Sequence, residues 1–358
     1  MKKFIICICS FISLLVIVMS IIILLYLSGI KAVSKSNKEI EFLVEKGSNY
    51  YSIASSLKSE GLIKSELWYK VYLKLNKAPL IKQGVHKLKK NMSVKEIIKE
   101  LSKNGYDPNA LNLTFKEGFN FYDLIDIITT NTNNTEEDII NLLNNEEYIN
   151  NLINDYWFIT DEIKNEKIYY KLEGYLYPDT YQFKEDVKVE EIFKELLKQM
   201  DKKLSEYKDK IEENQYSVHQ ILTLASIIEL EGVNKEDRGN IAGVFYNRLN
   251  NNMSLGSDVT TYYAERIDNW SRDLKKSELN ECNKYNTRSS CMAGKLPVGP
   301  ICNPGIKSIE ATIEPSNHKY YYFVADKNGK TYFNKTDSEH TKTVSRLKRD
   351  GLWIEYED

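Results

Sequence analysis

A run of apolar residues near the middle of the chain ends in two glutamates, Glu229 and Glu231, that could take part in acid–base chemistry. Ser217 and Gln220 fit the capping box that begins a helix, and residues 218–231 are apolar on nearly every side of the predicted helix. Such a helix must be buried, and burial raises the pKa of a carboxyl group. Glu229 is therefore a candidate general acid. A salt bridge at the helix end is the alternative, and the helix alone leaves both interpretations open.

Small polar residues accompany many aromatic residues in the last third of the chain. They could bind sugar hydroxyls beside aromatic rings, or equally well belong to a hydrophobic core and its loops. Asp258 and Thr260 lie in a predicted turn, and Asn303 lies within the turn-rich residues 294–305. The other residues of interest are Asn247, Tyr285 and Asn286.

Several other chemistries have no sequence support. The chain has no G-x-S-x-G nucleophile elbow, no H-E-x-x-H and no complete P-loop. Its four histidines lack metal-ligand spacing, and only His340 is a candidate for a functional role. We therefore expect neither a metal ion nor a cofactor.

Length and charge limit the broad class. With 358 residues the chain exceeds one typical core, so two or three domains are expected. A net charge of -2 gives no positive field for nucleic acid, which we exclude as a partner. The mean hydropathy of -0.46 predicts that most of the chain faces water.

One apolar segment departs from that average. Residues 4–30 contain no charged side chain and are long enough to cross a bilayer as a helix. A cleaved signal peptide is the alternative, but the run is long and lacks a small-residue cleavage pattern. We predict an uncleaved anchor with residues 1–3 in the cytoplasm and the remainder outside the cell membrane. Of the three cysteines beyond it, Cys282 and Cys291 are the most plausible disulfide pair, although three free thiols fit equally well.

Two stretches of the chain resemble each other, which predicts an internal duplication within an α+β fold. Residues 42–57 align with residues 113–128, and residues 86–101 with residues 181–196. Each half is predicted as strand, glycine turn, helix, insertion, strand and helix. The Lys- and Glu-rich residues 190–213 are predicted as a solvated helical connector, and residues 320–334 as a β-hairpin.

Several motifs in this order resemble the MltG/YceG-like family of endolytic murein transglycosylases: LEGYLYPDTYQF, LASIIELEG, IAGVFYNRL, Asp258-x-Thr260, YNT, GKLPVGPICNPG and YYFVADKNGKTYFNKTDSEH. The resemblance implies cleavage of the MurNAc–GlcNAc β-1,4 bond in nascent peptidoglycan strands, leaving 1,6-anhydro-MurNAc ends that terminate elongation. It also implies a LysM-like first module and a mixed α/β catalytic domain. The expected division is tail 1–3, transmembrane helix 4–30, linker 31–38, LysM-like module 39–105, second repeat copy 110–200 and catalytic region 201–358.

The resemblance assigns roles to individual residues. It implies that Glu229 acts as acid and then as base, while the C6 hydroxyl of the sugar is the nucleophile. Glu231 is the alternative acid, since residues two apart on a helix face different ways. Penicillin-binding peptidoglycan synthases are the implied protein partners. The substrate-binding positions are Glu173, Glu231, Asn247, Asp258, Thr260, Tyr285, Asn286, Asn303 and His340. A catalytically silent wall-binding scaffold is the competing interpretation, and a true hydrolase is the third.

Overall fold

A computed structural model describes residues 2–106, 110–232, 234–267 and 271–353, with side chains from residue 10 onward. The chain divides into two compact units, Met1–Ala110 and Leu111–Asp358. Helices and short antiparallel strands occur in both units, so the predicted α+β class is confirmed.

The first unit begins with a long apolar helix, and Ser10–Gly29 within it meets the length and hydropathy of a membrane span. The predicted single N-terminal apolar helix is thus present. Two antiparallel strands follow, of which the first directs Phe42 and Val44 into the core. The elements are α1 (Lys2–Gly29), β1 (Glu39–Val44), α2 (Ala54–Ser59), α3 (Glu66–Leu75), β2 (Gly84–Lys89) and α4 (Val94–Leu101).

The second unit contains two further antiparallel strand pairs, β3 with β4 and β5 with β6, among its described residues. Helices supply most of its core. The strands are β3 (Leu111–Thr114), β4 (Thr180–Phe183), β5 (Tyr322–Ala325) and β6 (Thr331–Asn334). The helices are α5 (Phe121–Asn131), α6 (Glu136–Asn144), α7 (Glu146–Asp155), α8 (Val189–Leu204), α9 (Lys208–Glu212), α10 (Val218–Glu231), α11 (Arg238–Asn250), α12 (Asp258–Ala264), α13 (Lys276–Asn280), α14 (Ile306–Ile313) and α15 (Asp337–Arg349).

The aligned stretches of the two units share a local structure. Gly47 and Gly118 both have φ of +84°, in the left-handed region that glycine adopts without steric cost. Two residues later, the side chain of Asn49 accepts from two backbone N–H groups ahead of it, and the side chain of Asn120 does the same. Duplication remains our interpretation, and these matching hydrogen bonds support it.

Helix α10 runs between two apolar clusters, which explains why it is hydrophobic all round. Leu222 and Ala225 belong to the larger cluster, whereas Leu224 and Ile228 belong to the other. The predicted capping box is present: the Ser217 hydroxyl accepts from Gln220 N–H, and the Gln220 side chain accepts from Ser217 N–H. The predicted bounds of this helix are confirmed.

Two local predictions differ from the structure. The connector predicted as solvated is α8, and one side of it buries seven apolar side chains that include Phe193 and Leu197. Its many charged residues occupy only the opposite face. The predicted turn at Asp258 and Thr260 is instead the start of α12, because burial of Thr260 and Tyr263 outweighs the weak helix propensity of this segment. The predicted β5–β6 hairpin is confirmed.

Candidate active site

The last turn of α10 presents the two glutamates to different surroundings. Residues two apart on a helix differ by about 200° around its axis. Glu229 and Glu231 accordingly contact different elements of the second unit.

Glu229 is held on both carboxylate oxygens. Its Oε1 pairs with Nη2 of Arg238 at 2.5 Å, and its Oε2 accepts from Gly305 N–H at 2.9 Å and from the Ser308 hydroxyl at 2.8 Å. The Glu229 and Arg238 side chains are only 5% and 4% exposed. Gly305 is the N-cap of α14, where the helix dipole favours a negative charge. Glu229 therefore links α10 to α11 through a buried ion pair and to the start of α14 through two hydrogen bonds.

Glu231 has a different environment. Its Oε1 accepts a 2.5 Å hydrogen bond from the Ser257 hydroxyl. Burial raises the pKa of this carboxyl above its usual value, and the negative charge of Asp258 raises it further. The Ser257 hydrogen bond and the nearby guanidinium groups of Arg248 and Arg288 lower it by less. We call this group the Glu231 site; it consists of Glu231, Arg248, Ser257, Asp258 and Arg288.

The outer edge of the Glu231 site is open to solvent. Arg288 Nε lies 3.3 Å from Asp258 Oδ1, and the two side chains are 41% and 57% exposed. Arg248 lies deeper and donates through Nε to the carbonyl of Tyr321 at 2.6 Å. A carboxyl with a raised pKa thus lies beside an accessible pair of charged side chains.

The loop that carries Ser257 is fixed by buried hydroxyl groups. Ser257 N–H donates to Thr287 Oγ1 at 3.1 Å, and the Thr260 hydroxyl donates to the Ser257 carbonyl at 2.7 Å. Asn286 in turn accepts from the Thr261 hydroxyl and donates to the carbonyls of Glu278 within α13 and Glu281 just after it. Thr260 and Asn286 are fully buried, so they position Ser257 and do not face solvent.

A second buried polar cluster forms around Glu173. Its carboxyl accepts from Phe121 N–H and from the Tyr263 hydroxyl, and burial raises its pKa to about 8. Asn303 accepts from Gly174 N–H at 3.0 Å and donates to the Phe119 carbonyl. The cluster joins residues 172–174 and the loop after β3 to residues 294–305. Its one carboxyl, that of Glu173, is buried.

The β5–β6 hairpin is fastened beside the Glu231 site by α11 and α15. Asn247 donates to the carbonyls of His318 and Tyr320 at 2.9 Å each. The Arg248 guanidinium lies 5.3 Å from the Tyr322 ring centroid, and His340 stacks on the same tyrosine with centroids 5.5 Å apart. The Nδ1 atom of His340 is buried without a hydrogen-bond partner among the described residues, and burial lowers the pKa of this imidazole.

Comparison with known proteins identifies the family. The model of the YceG-like family matches residues 42–346. The chain belongs to the YceG-like family. An endolytic murein transglycosylase of Bacillus subtilis (strain 168) is 36% identical over 322 residues, which cover 89% of this chain and 88% of the relative. A Streptococcus pneumoniae (serotype 2, strain D39) protein of the same name is 32% identical over 87% of this chain, which spans 59% of that relative's length.

A solved structure agrees with the family. The 2.6 Å crystal structure of a yceG-like protein from Listeria monocytogenes is 33% identical to this chain and superposes with a TM-score of 0.61. The match covers 86% of this chain and 99% of the crystallised one. The mixed α+β fold of this YceG-like protein is therefore shared with an experimental structure.

The sequence-predicted site residues of this YceG-like protein fall into three places. Glu231 and Asp258 meet in the Glu231 site, with His340 beside Arg248. Glu229 lies in the buried ion pair. The remaining predicted residues are buried or hydrogen-bonded to the protein backbone: Glu173, Asn247, Thr260, Tyr285, Asn286 and Asn303. Ser257, Arg248 and Arg288 were not predicted as site residues. The available signal was their position beside predicted ones, since Ser257 precedes Asp258, Arg248 follows Asn247 and Arg288 lies two residues after Asn286.

The second unit of this YceG-like protein also contains a disulfide bond and a cavity. Cys282 and Cys291 form a disulfide bond, which confirms the pairing judged most plausible, and Cys302 is free and buried. A cavity of about 770 Å³ opens at the other end of α10, where Tyr216 and Lys295 contribute to its lining. None of the predicted site residues lines that cavity. Among the residues with described placement, no group of three His, Cys, Asp or Glu side chains could hold a metal ion.

Proposed function

We propose that this protein is an endolytic murein transglycosylase that cleaves the MurNAc–GlcNAc β-1,4 bond within peptidoglycan strands. The relatives from Bacillus subtilis and Streptococcus pneumoniae carry that name, and one of them matches nearly nine tenths of both chains. In this proposal the products end in 1,6-anhydro-MurNAc, and cleavage terminates the elongation of nascent strands.

Glu231 is the proposed general acid and base, in place of Glu229, which the sequence motif suggested. The observation that carries this choice is the contrast between their partners. Both oxygens of Glu229 are engaged by Arg238, Gly305 and Ser308, which leaves neither oxygen free for a substrate. Glu231 has a raised pKa, and among the described residues one hydrogen bond reaches its carboxyl, from Ser257. A protonated carboxyl with a free oxygen is what general acid catalysis requires.

The proposed reaction needs one carboxyl group and no water. Glu231 gives its proton to the departing O4 of GlcNAc as the bond between that oxygen and C1 of MurNAc breaks. The O6 hydroxyl of the same MurNAc then bonds to C1 and returns a proton to Glu231. The carboxyl ends in its starting state, and the sugar carries the new anhydro ring.

The neighbouring groups have proposed supporting roles. Arg288 and Asp258 are exposed enough to contact glycan hydroxyls. His340 has a supporting role, because its ring stacks on Tyr322, which also lies beside the Arg248 guanidinium. The buried hydroxyl groups of Thr260 and Thr287 hold the Ser257 backbone and so keep its side chain beside Glu231, while Asn286 fixes the neighbouring Thr261.

The proposed cellular setting follows from the first unit. Ser10–Gly29 would anchor the chain in the cell membrane with a cytoplasmic N-terminus and both folded units outside. A LysM-like role in glycan binding for residues 39–105 and recruitment by penicillin-binding synthases are parts of the same proposal.

A second candidate function is hydrolysis of the same bond, and Asp258 is the observation that favours it. Hydrolytic glycosidases use two carboxyl groups, one as acid and the other as nucleophile or base. Asp258 is the carboxyl that acts electrostatically on Glu231. If it activates water, the products end in a reducing MurNAc.

One assay separates these functions. Full-length protein in detergent is incubated with uncrosslinked glycan strands, and the ends are identified by mass spectrometry. Anhydro-MurNAc ends support the transglycosylase, and reducing ends support the hydrolase. Binding of strands without either product would support the silent scaffold and contradict both enzymatic proposals.

A further inference from the structure

The end of α1 packs directly against α3 of the first unit. The Tyr26 and Trp68 rings meet edge to face with centroids 5.9 Å apart, and a Cβ placed on Gly29 would lie 2.2 Å from the Trp68 ring. On the other side, Val94 N–H donates to the Ile30 carbonyl at 3.0 Å. If α1 spans a bilayer, α3 and the start of α4 therefore lie at the level where the hydrocarbon ends. Tyrosine and tryptophan are enriched at that level in membrane proteins.

The helix that contacts the end of α1, together with the loop after it, exposes three large apolar side chains. Leu67 and Leu75 of α3 are 62% and 68% exposed, and Leu80 in the following loop is 83% exposed. Leu67 and Leu75 are eight residues apart, about two helical turns, so they lie on the same side of α3. Single exposed leucines are ordinary on a soluble surface, but three within one short segment beside an anchor indicate an interaction site.

Lysines flank these leucines along the chain. Residues 64–82 contain five lysines and one acidic residue, Glu66, which pairs with Lys70. The lysines are Lys64, Lys70, Lys74, Lys77 and Lys82. Apolar side chains for the acyl boundary together with ammonium groups for lipid phosphates are the composition of a surface that lies on an anionic membrane.

We propose that Leu67, Leu75, Leu80 and the lysines of residues 64–82 form a membrane-resting surface. It contacts the anionic phospholipids of the leaflet at which α1 ends. The proposal depends on α1 acting as the membrane anchor, which is part of the proposed function, and adds a second contact that fixes the first unit against the bilayer. Lipid is the favoured occupant because the surface is continuous with the end of the spanning helix and because its charge complements phosphate groups.

Leu43 provides a matched control. It is also an exposed leucine of the first unit, at 59%, but it lies on β1 between Phe42 and Val44, which are both buried. Since neighbouring strand residues point to opposite faces, Leu43 faces away from the core to which Tyr69 of α3 contributes. A lipid surface at α3 should leave Leu43 untouched.

The test uses the full chain in nanodiscs of phosphatidylcholine with or without phosphatidylglycerol. The photoreactive residue p-benzoylphenylalanine replaces Leu75, Leu80 or, as the control, Leu43. After irradiation, intact-protein mass spectrometry measures the fraction of chains carrying one lipid. Co-elution of protein with nanodiscs measures anchoring separately. A further variant, Lys74→Gln with Lys77→Gln, tests the contribution of charge.

We expect lipid adducts at positions 75 and 80 to exceed those at position 43 severalfold. The excess should grow with phosphatidylglycerol and shrink when Lys74 and Lys77 are replaced. Equal or absent adducts in protein that co-elutes with nanodiscs would overturn the membrane-resting surface while leaving the anchor intact. Protein–protein adducts at position 75 would assign the surface to a second copy of the chain instead. Failure to enter nanodiscs would contradict the anchor itself.

Discussion

Substituting the two glutamates of α10 one at a time separates catalysis from stability. Glu231→Gln removes the proposed proton donor while keeping the shape of the side chain and its hydrogen bond from Ser257. General acid–base catalysis contributes roughly 10²–10⁴-fold to a rate, so we expect cleavage to fall by about that factor. Because Glu231 makes no ion pair with Arg238, the melting temperature should change little.

Glu229→Gln should give the opposite result. It leaves the Arg238 guanidinium buried without its carboxylate, and breaking a buried pair in this way costs about 3–5 kcal/mol. For a unit of this size, about 2–4 °C per kcal/mol predicts a fall in melting temperature of roughly 6–20 °C. Well below the new midpoint the variant should retain most of its cleavage activity.

The assay combines thermal unfolding by circular dichroism with product analysis on uncrosslinked glycan strands at a temperature where every variant is folded. The matched control is Glu229→Gln combined with Arg238→Gln, which removes both charges and should recover much of the lost stability. If folded Glu229→Gln is inactive and Glu231→Gln remains active, the assignment of the acid is wrong and the residue indicated by the motif is restored.

Three further predictions concern pH and redox state. Activity should fall as the pH rises through the raised pKa of Glu231. Asp258 raises that pKa, so this limb of the kcat/KM profile should move to lower pH in Asp258→Asn. Ser257 lowers it, so the limb should move to higher pH in Ser257→Ala. Burial raises the pKa of Glu173 to about 8, so between about pH 4.5 and 8 the folded state holds a proton that the unfolded state has lost. The stability of the wild-type protein should therefore decline as the pH rises through this range. Glu173→Gln should flatten the decline, measured as melting temperature against pH. Reducing the Cys282–Cys291 bond should lower the free energy of unfolding by about 2–3 kcal/mol, measured by denaturant titration, and a stability equal to that of the oxidised protein would contradict this.

Local signals in the sequence were sufficient for the elements that depend on neighbouring residues. The capping box at Ser217, the uniformly apolar α10 and the β5–β6 hairpin each follow from interactions within a few positions along the chain. The N-terminal apolar helix follows from length and composition alone. For these elements local preference and tertiary packing agree.

Partners distant in sequence limited the prediction of the site. Gly305 and Ser308 bind Glu229 from more than seventy residues away, and no spacing within α10 reveals them. Threonine and asparagine side chains can bind a glycan or form a buried hydrogen-bond network. Because Thr260 and Asn286 are fully buried, they belong to the network. Composition misled for α8, because many lysines and glutamates can occupy one face of a helix whose other face is core.

The ion pair of Glu229 also bears on how Glu231 is positioned. The last turn of a helix has carbonyl groups without intrahelical partners and frays readily. Gly232, which follows α10, has φ of -81°, so a left-handed cap does not close this end; glycine is required there because a Cβ would lie 2.9 Å from both Arg238 Cγ and the Ile228 carbonyl. The links from Glu229 to Arg238 and to the start of α14 therefore help to hold this turn in place, together with the hydrogen bond from Ser257 to Glu231. Any residual loss of activity in folded Glu229→Gln should accordingly reflect a displaced Glu231, and the Arg238→Gln double variant should not fully reverse it.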